Sequence, residues 1–60
     1  MTGRDIYFEF IAIGNSVKVT AIDSATATEV SVVGPATASK QALEQVALQK
    51  LKARLAREQR

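Results

Sequence analysis

Gly14-Asn15 is flanked on both sides by segments whose bulky apolar residues alternate with period two. Between Asp5 and Ile13, Ile6, Phe8, Phe10 and Ala12 fall on one side of an extended chain. Tyr7, Glu9, Ile11 and Ile13 fall on the other. A two-residue Gly-Asn loop favours a primed hairpin turn, since both residues tolerate positive φ. If Ile13 opposes Ser16, the ladder pairs Ala12 with Val17, Phe10 with Val19 and Phe8 with Ala21, all on one face. The reverse face then pairs Ile11 with Lys18, Glu9 with Thr20 and Tyr7 with Ile22. A slip of one residue would scramble both sets, so turn and pattern specify the same register.

Asp23-Ser24-Ala25-Thr26-Ala27-Thr28 is small and polar, and its leading Asp can accept hydrogen bonds from the backbone that follows. It reads as a second hairpin loop. Closing it between Asp23 and Thr28 sets Val30 opposite Ala21 and Val32 opposite Val19 in a third strand. Gly34-Pro35 is expected to end that strand, because proline lacks a ladder donor. Ser39 is the N-cap candidate, with Thr37 as rival, for a run of helix formers reaching about Arg57. Leu43, Ala47, Leu48, Leu51 and Leu55 span an arc of roughly 140° on that helix, wide enough to cover a sheet. Ala42, Val46 and Ala53 form a second, weaker stripe, with Lys50, Arg54 and Arg57 between the two. Glu58-Gln59-Arg60 is expected to fray.

The expected architecture is α+β: one domain over residues 1–60, a three-stranded antiparallel meander with one C-terminal helix packed on one face (β-β-β-α). The strands are expected at about 5–13, 16–23 and 28–33, and the helix at about 39–57. The expected core is Phe8, Phe10, Val17, Val19, Val30, Val32, Leu43, Ala47, Leu51 and Leu55. A chain of 60 residues buries only about 60% of the surface its unfolded form exposes, so it needs reinforcement. Disulfides and zinc are the usual aids, but the sequence holds no cysteine and no histidine. Association with a second copy remains. The candidate interface is Tyr7, Ile11, Ile13, Ile22 and Val33 on the face away from the helix, which is too apolar for a fully solvated sheet.

Catalysis is not expected, and neither a cofactor nor a metal is implied. There is no histidine to act as general base, and Glu9 and Glu29 fall on the two outer strands with Thr20 between them. Ser-Lys chemistry would require Lys18 or Lys40 to be desolvated in a pocket. Gly34-Pro35-Ala36-Thr37 lacks the further glycines of a phosphate loop. The N-terminus carries Asp5 followed by alternating residues and resembles neither a signal peptide nor a spanning helix. With no cysteine, a cytoplasmic location is expected and no membrane contact.

The net charge is +2, unevenly spread: Lys40, Lys50, Lys52, Arg54, Arg57 and Arg60 outnumber Glu44 and Glu58 in the second half. Lys40, Lys50, Lys52, Arg54 and Arg57 make a candidate basic patch for RNA or DNA, the alternative to a protein partner. Ser39-Lys40-Gln41-Ala42, opening a helix after three strands, resembles the carboxyl-terminal half of a double-stranded-RNA-binding domain. The first helix and loop histidine of that domain have no counterpart here, and its basic cluster is reduced to Lys40.

Over nearly its whole length, the chain resembles a family of short uncharacterised bacterial proteins known mainly from alphaproteobacteria. The likeness is carried by Tyr7-Phe8-Glu9-Phe10, Val17-Lys18-Val19-Thr20-Ala21-Ile22-Asp23, Thr28-Glu29-Val30-Ser31 and Val33-Gly34-Pro35. It implies a cytoplasmic bacterial protein of unknown function with no catalytic residues to carry over. The resulting expectation is a small, non-enzymatic homodimer that also offers a surface to another protein.

Overall fold

In the computed structural model, which describes residues 5–58, the chain runs β1 (Ile6–Ile13), β2 (Ser16–Asp23), β3 (Glu29–Pro35) and α1 (Lys40–Glu58). The strands form one open antiparallel sheet in the order β1-β2-β3. The expected register holds throughout: Ile13 opposes Ser16, Phe10 opposes Val19 and Phe8 opposes Ala21. Across the second hairpin, Val32 opposes Val19 and Val30 opposes Ala21. In the first turn Gly14 takes φ 58° and Asn15 does not share the positive φ, the pattern of a primed turn with glycine in its first central position.

The core lies between one sheet face and the helix. Val19, Ala21, Val30, Ala47, Leu51 and Leu55 are buried, with Ile6, Phe8, Phe10, Val17, Val32 and Leu43 packed around them. The helix lies over β2 and β3. Consequently the β1 phenylalanines, although on the covered face, remain only half-buried. Lys40 reaches over Phe10, its Nζ 5.6 Å from the ring centroid.

Ser39 is the N-cap, accepting the Ala42 amide on Oγ at 3.0 Å, so the rival Thr37 does not serve. The expected fraying at Glu58-Gln59-Arg60 lies outside the described residues for Gln59 and Arg60, while Glu58 is helical.

The expectation that Gly34-Pro35 ends the third strand is corrected: β3 continues through both, with Gly34 opposite Val17 and Pro35 opposite Ser16. The reason is the direction of the main-chain groups. In an antiparallel ladder alternate residues bond to the neighbour and the rest point away. Asp23 donates its amide to the Thr28 carbonyl at 2.9 Å, so Thr28, Val30, Val32 and Gly34 turn toward β2. Glu29, Ser31, Val33 and Pro35 turn outward. The donor that proline lacks is one the sheet does not use there.

The same logic orients β1. Ser24 donates to the Asp5 carbonyl at 2.9 Å, placing the odd-numbered residues of β1 in the ladder with β2. The main-chain groups of Ile6, Phe8, Phe10 and Ala12 therefore point outward along an open edge.

The β2–β3 loop is tied to the helix end. The Asp23 carboxylate, wholly buried, accepts on Oδ2 from the Thr26 amide at 3.1 Å and the Thr26 hydroxyl at 2.8 Å. The Thr28 hydroxyl donates to Glu58 Oε1 at 3.2 Å, and Arg54 Nε donates to Glu58 Oε2 at 3.1 Å.

Candidate functional site

The face away from the helix is built in rows. One row is Tyr7, Ile22 and Glu29; the next is Glu9, Thr20 and Ser31; the third is Ile11, Lys18 and Val33; the last is Ile13, Ser16 and Pro35. The polar second row splits the apolar residues. Thr20 is buried by its neighbours and satisfied by a hydroxyl contact with Ser31 at 2.9 Å, which closes the middle of the face. Ile22 is half-buried. Tyr7, Ile11, Ile13 and Val33 are the open apolar side chains of the face, between 41% and 65% exposed.

The five candidate interface residues are thus distributed unequally. Tyr7, Ile11 and Ile13 line up along β1, whereas Val33 stands on the opposite edge strand, about 10 Å from Ile11 with Lys18 between them. The coherent surface is not the whole sheet face but β1 itself. Its outer side carries Tyr7, Ile11 and Ile13, its helix side the half-covered Phe8 and Phe10, and its edge the outward main-chain groups. The alternation assigns Phe8 and Phe10 to the core, and both pack against it while staying partly exposed. Their partial exposure follows from the sideways seat of the helix, which the leucine stripe does not encode.

The other edge of the sheet is guarded. Lys50 extends from the helix and donates Nζ to the outward Ser31 carbonyl at 3.1 Å. Pro35 presents no N–H at an outward position of the same strand.

The five candidate basic residues are all exposed but do not converge. Lys40 covers Phe10, Lys50 is held on Ser31 and Arg54 is paired with Glu58. At 100° per residue, Lys52 falls on the flank opposite Lys50, Arg54 and Arg57. Lys40 starts the helix, about 15 Å along the axis from Lys50.

Glu9 and Glu29 are kept on separate strands by β2, and no group of His, Cys, Asp and Glu able to hold a metal ion occurs among the described residues. No helix among them is long and apolar enough to cross a membrane.

Among the described residues, fold and surface together define an open-sheet β-β-β-α domain whose β3 edge is guarded and whose β1 edge is not. The family model described as Domain of unknown function (DUF6898) matches residues 3–58, and the chain belongs to that family. No curated protein and no solved structure matches it.

Proposed function

We propose that this chain is a small, non-enzymatic protein-interaction module that self-associates as a homodimer and works in the bacterial cytoplasm. One observation carries the reading: three exposed apolar side chains, Tyr7, Ile11 and Ile13, run along a strand whose other side holds two half-covered phenylalanines. An isolated exposed apolar residue is ordinary, but three in a line on one edge strand, backed on its other side by two half-buried phenylalanines, make a strand that favours protein contact over water. The need for reinforcement in a chain of 60 residues with no cysteine or histidine supports a second copy as the partner. Absence of cysteine agrees with a reducing compartment. The bacterial setting rests on the family resemblance.

The alternative, an electrostatic RNA or DNA binder, has less support, because Lys40, Lys50 and Arg54 are occupied within the molecule. Sedimentation velocity at low and high salt, with and without RNA, separates the two. The interaction module sediments as a dimer that tolerates salt and ignores RNA. A monomer that binds RNA at low salt and releases it steeply as salt rises would instead establish the nucleic-acid reading.

A further inference from the structure

We propose that the partner on β1 is a second β1: two copies pair antiparallel along this edge into one six-stranded sheet, with Phe10 on the twofold axis. The inference rests on the self-association reading above and adds its geometry. The contrast between the two sheet edges carries it. An exposed strand edge templates pairing with another chain unless something blocks it, and lysine and proline are common blocks. On β3, Lys50 occupies the Ser31 carbonyl and Pro35 removes a donor. On β1, Ile6, Phe8, Phe10 and Ala12 point their main-chain groups outward, and among the described residues no comparable block covers them. Joining two β1 edges consumes both unguarded edges and leaves only guarded ones outside. The strand order becomes β3-β2-β1-β1-β2-β3, which closes at two copies rather than growing into a fibre.

The register follows from side chains. Only the even-numbered residues of β1 have outward groups, so the axis passes through a residue rather than between two, and an axis at residue 9 or 10 pairs more of Ile6–Ile13 than one nearer either end. An axis at Glu9 sets it against the partner's Glu9 in the closer, non-hydrogen-bonded position, where like charges repel. An axis at Phe8 pairs only Ile6 to Phe10 and leaves Ile11 and Ile13 without partners from β1. An axis at Phe10 pairs Tyr7 to Ile13. Phe8 then lies opposite the partner's Ala12, a large side chain against a small exposed one, and Phe10 lies opposite its own copy. On the outer face, Tyr7 meets the partner's Ile13 and Glu9 meets the partner's Ile11. The half-covered phenylalanines of both copies become mutually covered on the helix side.

Two experiments test the pairing. The chain has no native cysteine, so Glu9→Cys and Ile11→Cys proteins can be mixed and oxidised. These positions face each other across the proposed seam with Cα atoms about 4.5 Å apart, within disulfide reach. The equimolar mixture should give a covalent dimer in about half of the chains, the statistical share of mixed pairs in a twofold assembly, and neither variant alone should match it. Efficient cross-linking of Glu9→Cys alone would overturn the Phe10-centred register. Separately, Ala12→Pro deletes an outward N–H that β2 does not use, and should lower the dimer to monomer in sedimentation while dichroism stays native. A folded Ala12→Pro dimer together with no cross-linking would overturn edge pairing and leave self-association standing. A native chain that is monomeric at every concentration would overturn both. If the proline unfolds the monomer, the cysteine mixture decides alone.

Discussion

Leu43 rests directly on Gly34: a Cβ built on that glycine would collide with Leu43 Cδ2 and lie 3.4 Å from Cγ. The glycine is therefore the seat for the first leucine of the helix on β3. Gly34→Ala should destabilise the chain by about 1–3 kcal/mol as Leu43 is pushed off its rotamer. The cost should shrink in a Leu43→Ala background, because the colliding atoms are gone. A double-mutant cycle by urea denaturation measures this, and strict additivity would show that the two residues do not interact.

Ala27 and Gly14 make a matched pair of backbone tests. Both take left-handed φ, 61° at Ala27 and 58° at Gly14, but only the glycine does so without a Cβ in the way. The left-handed conformation costs a non-glycine residue about 1–2 kcal/mol, while glycine adds about 0.5–1 kcal/mol of unfolded-state entropy. Ala27→Gly should thus raise stability by about 0.5–1 kcal/mol, and Gly14→Ala should lower it by about 1 kcal/mol. Melting temperatures that move in the same direction for both would contradict the turn geometry.

The contrast between these two turns shows what the sequence makes legible. Gly14-Asn15 sits between two alternating runs, so one local signal and one long pattern agree on the register, and Ser39 caps the helix where its chemistry predicts. Pro35 misleads because a proline is forbidden or tolerated according to which way its nitrogen points, and that depends on a ladder set by Asp23 and Thr28 far from it. Leu43, Leu51 and Leu55 reveal which side of the helix is buried but not which strands lie beneath. The open flank beside Phe8 and Phe10 is consequently invisible before the helix is placed. The basic residues give a total charge, while their dispersal depends on individual acceptors such as Ser31 and Glu58.

Leu51 and Phe10 should respond differently to truncation for this reason. Leu51 is fully buried between the helix that carries it and the sheet, and Leu51→Ala should cost about 2–5 kcal/mol, most of the stability of so short a chain. Phe10 is half-covered, so Phe10→Ala in dilute solution should cost less than the roughly 3–5 kcal/mol of a fully buried phenylalanine. Its cost should grow with protein concentration as the dimer forms. Thermal melts over a hundredfold concentration range check both statements, and a Phe10→Ala penalty equal to that of Leu51→Ala at every concentration would contradict the placement of the helix.

Asp23 closes the second hairpin by holding Thr26 through both its amide and its hydroxyl. Hydrogen bonds to a charged acceptor are worth about 1.5–3 kcal/mol, so Asp23→Ala should lose at least that much. Thr26→Val keeps the amide bond but deletes the hydroxyl, and should cost about 1–2 kcal/mol. Guanidinium titrations give the ordering Asp23→Ala above Thr26→Val, and a neutral Asp23→Ala would show that the loop is held by other contacts.

Ile11 allows the sign of a charge to report on the seam. In a sheet joined at Phe10, Ile11 stands across from the partner's Glu9, and twofold symmetry repeats the pair. Ile11→Glu places like charges opposite each other twice and should weaken the dimer by about tenfold, given up to about 1 kcal/mol for each directly opposed pair. Ile11→Lys forms two opposite-charge pairs instead, and should leave the dimer intact or tighten it, with Lys18 on the adjacent strand opposing part of the gain. A dimer formed by stacking the outer faces would bury residue 11 against apolar surface and lose affinity with either charge. Dissociation constants from sedimentation equilibrium, measured at two salt concentrations, separate these cases: the Glu and Lys variants should diverge at low salt and converge as salt screens the exposed pairs. Equal weakening by both substitutions, insensitive to salt, would move the interface from the β1 edge to the sheet face.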